Sequence, residues 1–123
     1  VHAFAHQLGA KYGIPHGEAN AKVLPYVLEF NKEASADRMA QIASFLGLNG
    51  LGDTNKHLAD KLIHAVKGLI AQINIKPTVP QIRKEDYNEI IRQAFKEANS
   101  TYAVAKYMSY DEAVLLLDRI SDR

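Results

Sequence analysis

Apolar residues recur at helical spacing along nearly the whole chain. Ala19, Val23, Val27 and Phe30 lie on one helical face, and His16 and Asn20 fall on that same face. Met39, Ile42, Ala43 and Leu46 follow the i, i+3, i+4, i+7 rule of an amphipathic helix. Leu58, Leu62, Val66, Leu69 and Ile73 mark another stripe, widened by Ile63 and Ile70. Tyr87, Ile90, Ile91, Ala94, Phe95 and Ala98 form a further one, and Ala113, Leu116, Leu117 and Ile120 the last. No stretch alternates long enough to predict a strand.

Capping and breaking residues divide these stripes into elements. The first helix is expected from Val1 to Leu8 or Ala10, with a return turn over Tyr12 to Pro15. The second runs from His16 to Asn31, and Pro25 inside it predicts a kink, because proline removes a backbone donor and crowds the carbonyl four residues back. Ser35 reads as the N-cap of a third helix that ends at Leu46, with Gly47 just past its end. A loop LNGLGD leads to a fourth helix, capped by Asp53 or Thr54 and reaching Ile73. Pro77 and Pro80 make 74–82 a loop, and the fifth helix spans Lys84 to Ala98. The segment TYAVAKYMS is expected to be extended and packed through Tyr102, Val104 and Tyr107. Ser109 and Glu112 have capping-box spacing and open a final helix to Ile120. The expected fold is all-α, a bundle of about six helices forming a single domain over residues 1–123.

Composition narrows the function classes. The 15 basic and 14 acidic side chains are interspersed and leave a net charge of +1, so no basic stripe suited to nucleic acid is present. No apolar run is long enough to cross a membrane. The chain has no cysteine, which excludes thiolate catalysis and cysteine-ligated metal and is compatible with the cytoplasm. No phosphate-binding glycine pattern occurs; LNGLGD lacks both the G-x-G-x-x-G order and a following Lys-Ser or Lys-Thr. The chain opens on Val1 with helical periodicity already under way and no N-cap residue, the expectation for a piece of a longer chain.

The chemistry concentrates in the first seventeen residues, VHAFAHQLGAKYGIPHG. His2 and His6 are four apart and share a helical face. A helix ending near Gly9 carries the chain about 10 Å from His2. The segment from Gly9 to His16 can span roughly 23 Å, enough to return. Ala3, Ala5, Gly9 and Ala10 are small and permit a close approach. Neutral imidazole is a good ligand for zinc, iron and nickel, so three convergent histidines suit a transition-metal site. On pattern alone the rival reading stays open: a non-catalytic helical binding module whose inward-facing histidines are buried and hydrogen-bonded. A two-histidine hydrolase is disfavoured, because Ala3, Phe4 and Ala5 between the pair supply no base. His57 and His64 lie opposite the apolar stripe of their helix and read as solvated.

The stretch HAFAHQLGAKYGIPHGEANAKVLPYVLEFN closely resembles the iron-dependent (group III) alcohol dehydrogenases. Their pattern is roughly H-x-x-x-H-x-L-G-A, a short gap, P-H-G-x-x-N-A, and an apolar run ending in F/Y-N. His2, His6, Leu8, Gly9, Ala10, Pro15, His16, Gly17, Asn20, Ala21 and Asn31 fill it. The resemblance covers the whole chain loosely and residues 2–31 specifically. It implies the C-terminal helical domain of the dehydroquinate synthase/iron-dependent alcohol dehydrogenase fold. His2 and His16 would ligate Fe(2+), or zinc or nickel in its place, and His6 would lie beside the nicotinamide as a proton relay. The cofactor implied is NAD or NADP, and the substrate a small alcohol or its aldehyde. Two further metal ligands, an Asp and a His, and the nucleotide-binding domain are expected upstream, in a parent that forms a homo-oligomer. No phosphate loop or second ligand pair lies in these residues, so the chain alone is expected to turn over no alcohol.

Overall fold

The computed structural model describes residues 1–101 and 103–123. Among them there are five α-helices and no strand. Helix α1 is His2–Tyr12, α2 His16–Phe45, α3 Asn55–Gln72, α4 Tyr87–Thr101 and α5 Tyr110–Ile120, with a short 3-10 turn at Lys84–Asp86.

Gly13 ends α1. Its φ of 68° is left-handed, and its N–H donates to the Gly9 carbonyl at 3.0 Å. Only glycine adopts that conformation without a Cβ penalty. The chain reverses within three residues, and Ile14, 8% exposed, anchors the turn in the core. Gly9 has its own reason to be small, since a Cβ there would lie 3.2 Å from the Ile14 carbonyl oxygen.

The six expected helices become five because the second and third are one. Helix α2 runs 30 residues, through Pro25, with Ser35 in mid-helix rather than at a cap. The bridging segment Lys32–Arg38 holds Lys, Glu, Ala and Arg, all good helix formers, and neither Gly nor Pro. A serine stops a helix only where the backbone has reason to leave it. At about 1.5 Å per residue α2 is roughly 45 Å long, and its two halves serve two different cores.

The main core gathers α1, the first half of α2, α4, α5 and the 79–82 segment. Leu8, Val23, Ile82, Ile90, Leu117 and Ile120 are its large, fully buried side chains. The expected loop after α3 is thus a plug: Val79 and Ile82 are buried, and the Val79 N–H donates to the Ile120 carbonyl at 2.7 Å. The second core lies between the distal half of α2 and α3, from Met39, Ala40, Ala43, Leu58, Ala59, Leu62 and Ile63. Among the described residues, helix α3 packs on α2 and on no other helix. That explains a departure from its expected stripe: Leu69 and Ile73, 60% and 59% exposed, have nothing opposite them. Among the described residues no helix is long and apolar enough to cross a membrane.

The caps agree with the sequence. Thr54 Oγ1 accepts from the His57 N–H, and Ser109 and Glu112 form the reciprocal capping box of α5. The 103–109 segment does not. Val104 and Tyr107 are exposed, 40% and 77%, so they do not fasten it to the bundle. Met108 packs against the core instead, and Lys106 Nζ sits 4.5 Å from the Phe30 ring centroid. Tyr102 lies outside the described residues.

Candidate functional site

The reversal at Gly13 brings His16, on the first turn of α2, back beside the first turns of α1. The three histidines expected to converge do so. Ring centroids are 5.9 Å apart for His2–His6, 5.6 Å for His2–His16 and 5.3 Å for His6–His16. The last pair is stacked at 22°, while His2 stands at 73° to His6 and 51° to His16. The cluster is a surface feature. His2 and His16 are exposed and the His6 side chain is 39% exposed. The expectation that His16 points into the core is therefore corrected. Ala19 and Val23 carry the inward face of α2, and His16 sits at the end of that face, beyond the core. The rival reading, which needs buried structural histidines, loses its premise.

Two of the rings have identified partners. Asn20, one helical turn after His16, donates from Nδ2 to His16 Nε2 at 3.1 Å, so the lone pair of that nitrogen is engaged by the amide and a metal at Nε2 has to displace it. The buried Asn20 Oδ1 has no hydrogen-bond partner among the described residues. His6 Nδ1 donates to Glu97 Oε1 at 2.6 Å. Glu97 escaped the sequence reading, although a signal for it existed. Ile90, Ala94 and Glu97 have i, i+4, i+7 spacing, which puts a carboxylate in line with two fully buried residues of α4. A charge on an apolar stripe requires a partner.

Helices α1 and α4 run antiparallel, and their register is held by further cross-links from α1 to α4 and to the 3-10 turn before it. Lys11 Nζ donates to Glu89 Oε2 and the Tyr12 hydroxyl to Asp86 Oδ2, both at 2.7 Å. Burial and then the Asp86 hydrogen bond push the Tyr12 phenol up to about 12. The same bond holds the Asp86 carboxyl below its ordinary value.

A metal–imidazole nitrogen distance of about 2.1 Å puts each ring centroid roughly 3.2 Å from the ion, so two rings on one tetrahedral ion lie about 5.2 Å apart. His6–His16 and His2–His16, at 5.3 Å and 5.6 Å, are both near that spacing, and imidazole donors suit ferrous iron, zinc or nickel. The His6 ring is committed to Glu97 through Nδ1. Among the described residues no set of three or more His, Cys, Asp and Glu side chains is arranged to hold a metal. Beside His2 opens a cavity of about 430 Å³, lined by Phe4, Val27, Phe30, Phe95 and Met108, with Asn99 as a polar point.

Known proteins share both the sequence and the fold. The sequence profile of the Fe-containing alcohol dehydrogenase family, C-terminal, matches residues 1–120. The chain is 38% identical over 102 residues to a 1,3-propanediol dehydrogenase of Citrobacter freundii, a match covering 81% of this chain and 26% of that protein. To an NADPH-dependent butanol dehydrogenase of Clostridium saccharobutylicum it is 45% identical over 84 residues, covering 68% and 20%. A crystal structure of 1,3-propanediol oxidoreductase superposes with a TM-score of 0.87 at 30% identity, over 97% of this chain and 31% of that one. The chain thus spans a fifth to a quarter of the length of these curated relatives. From its histidine cluster to its last helix, the chain belongs to the Fe-containing alcohol dehydrogenase family and corresponds to that family's C-terminal part.

Proposed function

We propose that this chain is the metal-holding, substrate-facing domain of an NAD(P)-dependent alcohol dehydrogenase that interconverts a small alcohol and its aldehyde or ketone. The observation that carries the reading is the meeting of three imidazoles within 5.9 Å in a chain of this family. His2 and His16 are read as iron ligands. When bound, iron supplies Lewis-acid polarisation of the alcohol oxygen. The nicotinamide, which an N-terminal nucleotide-binding domain of the same parent would mainly hold, would supply the hydride acceptor.

His6 has a different task. Its Nδ1 is bonded to Glu97, which leaves Nε2 as the basic nitrogen that takes the hydroxyl proton. The apolar cavity beside His2 suits the carbon chain of the substrate. A cytoplasmic location and a homo-oligomeric parent are parts of the same reading, with no nucleic acid and no membrane as partner.

The test is NAD(P)H formation, followed by absorbance, when the complete protein is given ferrous iron and short primary alcohols such as propanediol and butanol. Turnover by the complete protein and none by the 123-residue chain alone is expected. A complete protein that binds iron and nicotinamide but oxidises no alcohol contradicts the proposal.

A further inference from the structure

We propose that Glu97 is the positioning residue for His6: its carboxylate selects the Nδ1–H tautomer and so fixes which imidazole nitrogen is presented as the base. The inference rests on the proposed function above, in which His6 moves the proton.

The bond itself is the first observation. At 2.6 Å between His6 Nδ1 and Glu97 Oε1, it is at the short end for a charge-assisted pair. An ionised carboxylate can only accept, so it bonds one tautomer alone. The proton is held on Nδ1, and Nε2 keeps its lone pair. An unrestrained histidine side chain in water exchanges between the two forms, and its Nε2–H form presents the wrong nitrogen.

The second observation is that the backbone sets the pair. Lys11–Glu89 joins the same two helices further along, Tyr12–Asp86 ties α1 to the 3-10 turn that leads into α4, and Ala5 and Ala94, 1% and 0% exposed, let the helices approach closely. Glu97 is therefore delivered to His6 by the register of α4 on α1, not by a chance swing of a surface side chain. Its side chain is 25% exposed, against 62% for Glu89 in the neighbouring link. The third is what the pair adjoins. The His6 ring stacks on His16 at 5.3 Å and lies 5.9 Å from His2, so its orientation is read out directly at the two residues assigned to the metal. A ring free to flip would lose that register.

Glu97→Gln separates the mechanism from simple contact. The amide has nearly the same shape, yet it offers an acceptor and a donor, so it tolerates either tautomer. Glu97→Asp keeps the acceptor-only character on a shorter stem. In the complete iron-loaded protein, Glu97→Gln is expected to lower kcat about 10- to 100-fold, the range for loss of a group that orients another, with KM and iron content little changed. Glu97→Asp is expected to recover most of that loss. In a His6→Ala background, Glu97→Gln should cost nothing further. An equal loss with and without His6 would show a merely structural role and overturn the proposal.

A second readout needs no turnover. Carbethoxylation by diethyl pyrocarbonate, followed by peptide mass spectrometry, reports the reactivity of each ring, with exposed His64 as internal reference. Relative to His64, His6 should react several-fold more slowly in Glu97→Gln and recover in Glu97→Asp. Equal His6 rates in the three proteins would overturn the positioning role. The expected labelling pattern in a protein that oxidises no alcohol would leave that role standing and remove the dehydrogenase reading instead.

Discussion

Replacing Gly13 by alanine tests the turn on which the whole cluster depends. With φ at 68°, an alanine must either adopt the left-handed region or rebuild the reversal. The left-handed conformation costs an L-residue about 1–2 kcal/mol. No other term competes, because a Cβ built at Gly13 meets nothing within 4 Å. The loss of stability should therefore equal the backbone term alone, about 1–2 kcal/mol. At an m-value of about 2 kcal/mol per molar, that moves the urea midpoint of the 123-residue chain down by roughly 0.5–1 M. Gly13→Asn should lose less, since asparagine tolerates this region better than other non-glycine residues. Gly9→Ala makes a contrasting control, because its penalty is crowding against the Ile14 carbonyl and asparagine there should be worse, not better. Urea unfolding followed by far-UV circular dichroism gives all the midpoints. If Gly13→Ala matches the parent, or Gly13→Asn falls below Gly13→Ala, the reasoning from backbone conformation is wrong.

Further outcomes concern packing and charge. Leu117→Ala, at a fully buried position of the main core, should cost about 2–5 kcal/mol, whereas Leu51→Ala, at a fully exposed position, should stay within about 0.5 kcal/mol by the same urea assay. The Tyr12 phenol, raised from 10.0 to about 12, favours the folded state while protonated; its contribution is complete below pH 10 and is lost as pH rises through about 12. Stability measured from pH 9 upward should fall less steeply in Tyr12→Phe than in the parent, and identical slopes would refute that assignment.

Local signals in the sequence were accurate where one residue type decides the outcome. Thr54, the Ser109–Glu112 pair and the small Gly9 each do in the structure what their chemistry predicts. Signals that depend on a neighbour were read less well. Ser35 looks like a cap, but the helix formers around it carry α2 onward. Leu69 and Ile73 continue the period of α3, but periodicity does not show that the partner helix covers only part of that face. At the site, the HxxxH spacing and the Gly13 turn placed three histidines together, whereas their exposure could not be foreseen from the face His16 shares with Val23. Glu97 lies 91 positions from His6, so only the packing of α4 on α1 discloses the pair.

Iron content tests the division of labour within the histidine cluster most directly. Complete protein carrying His2→Ala, His16→Ala or His6→Ala is loaded anaerobically with ferrous iron, dialysed and assayed by elemental analysis. Large iron loss from His2→Ala and His16→Ala and near-parental iron in His6→Ala are expected. Equal iron loss from all three variants would contradict that division.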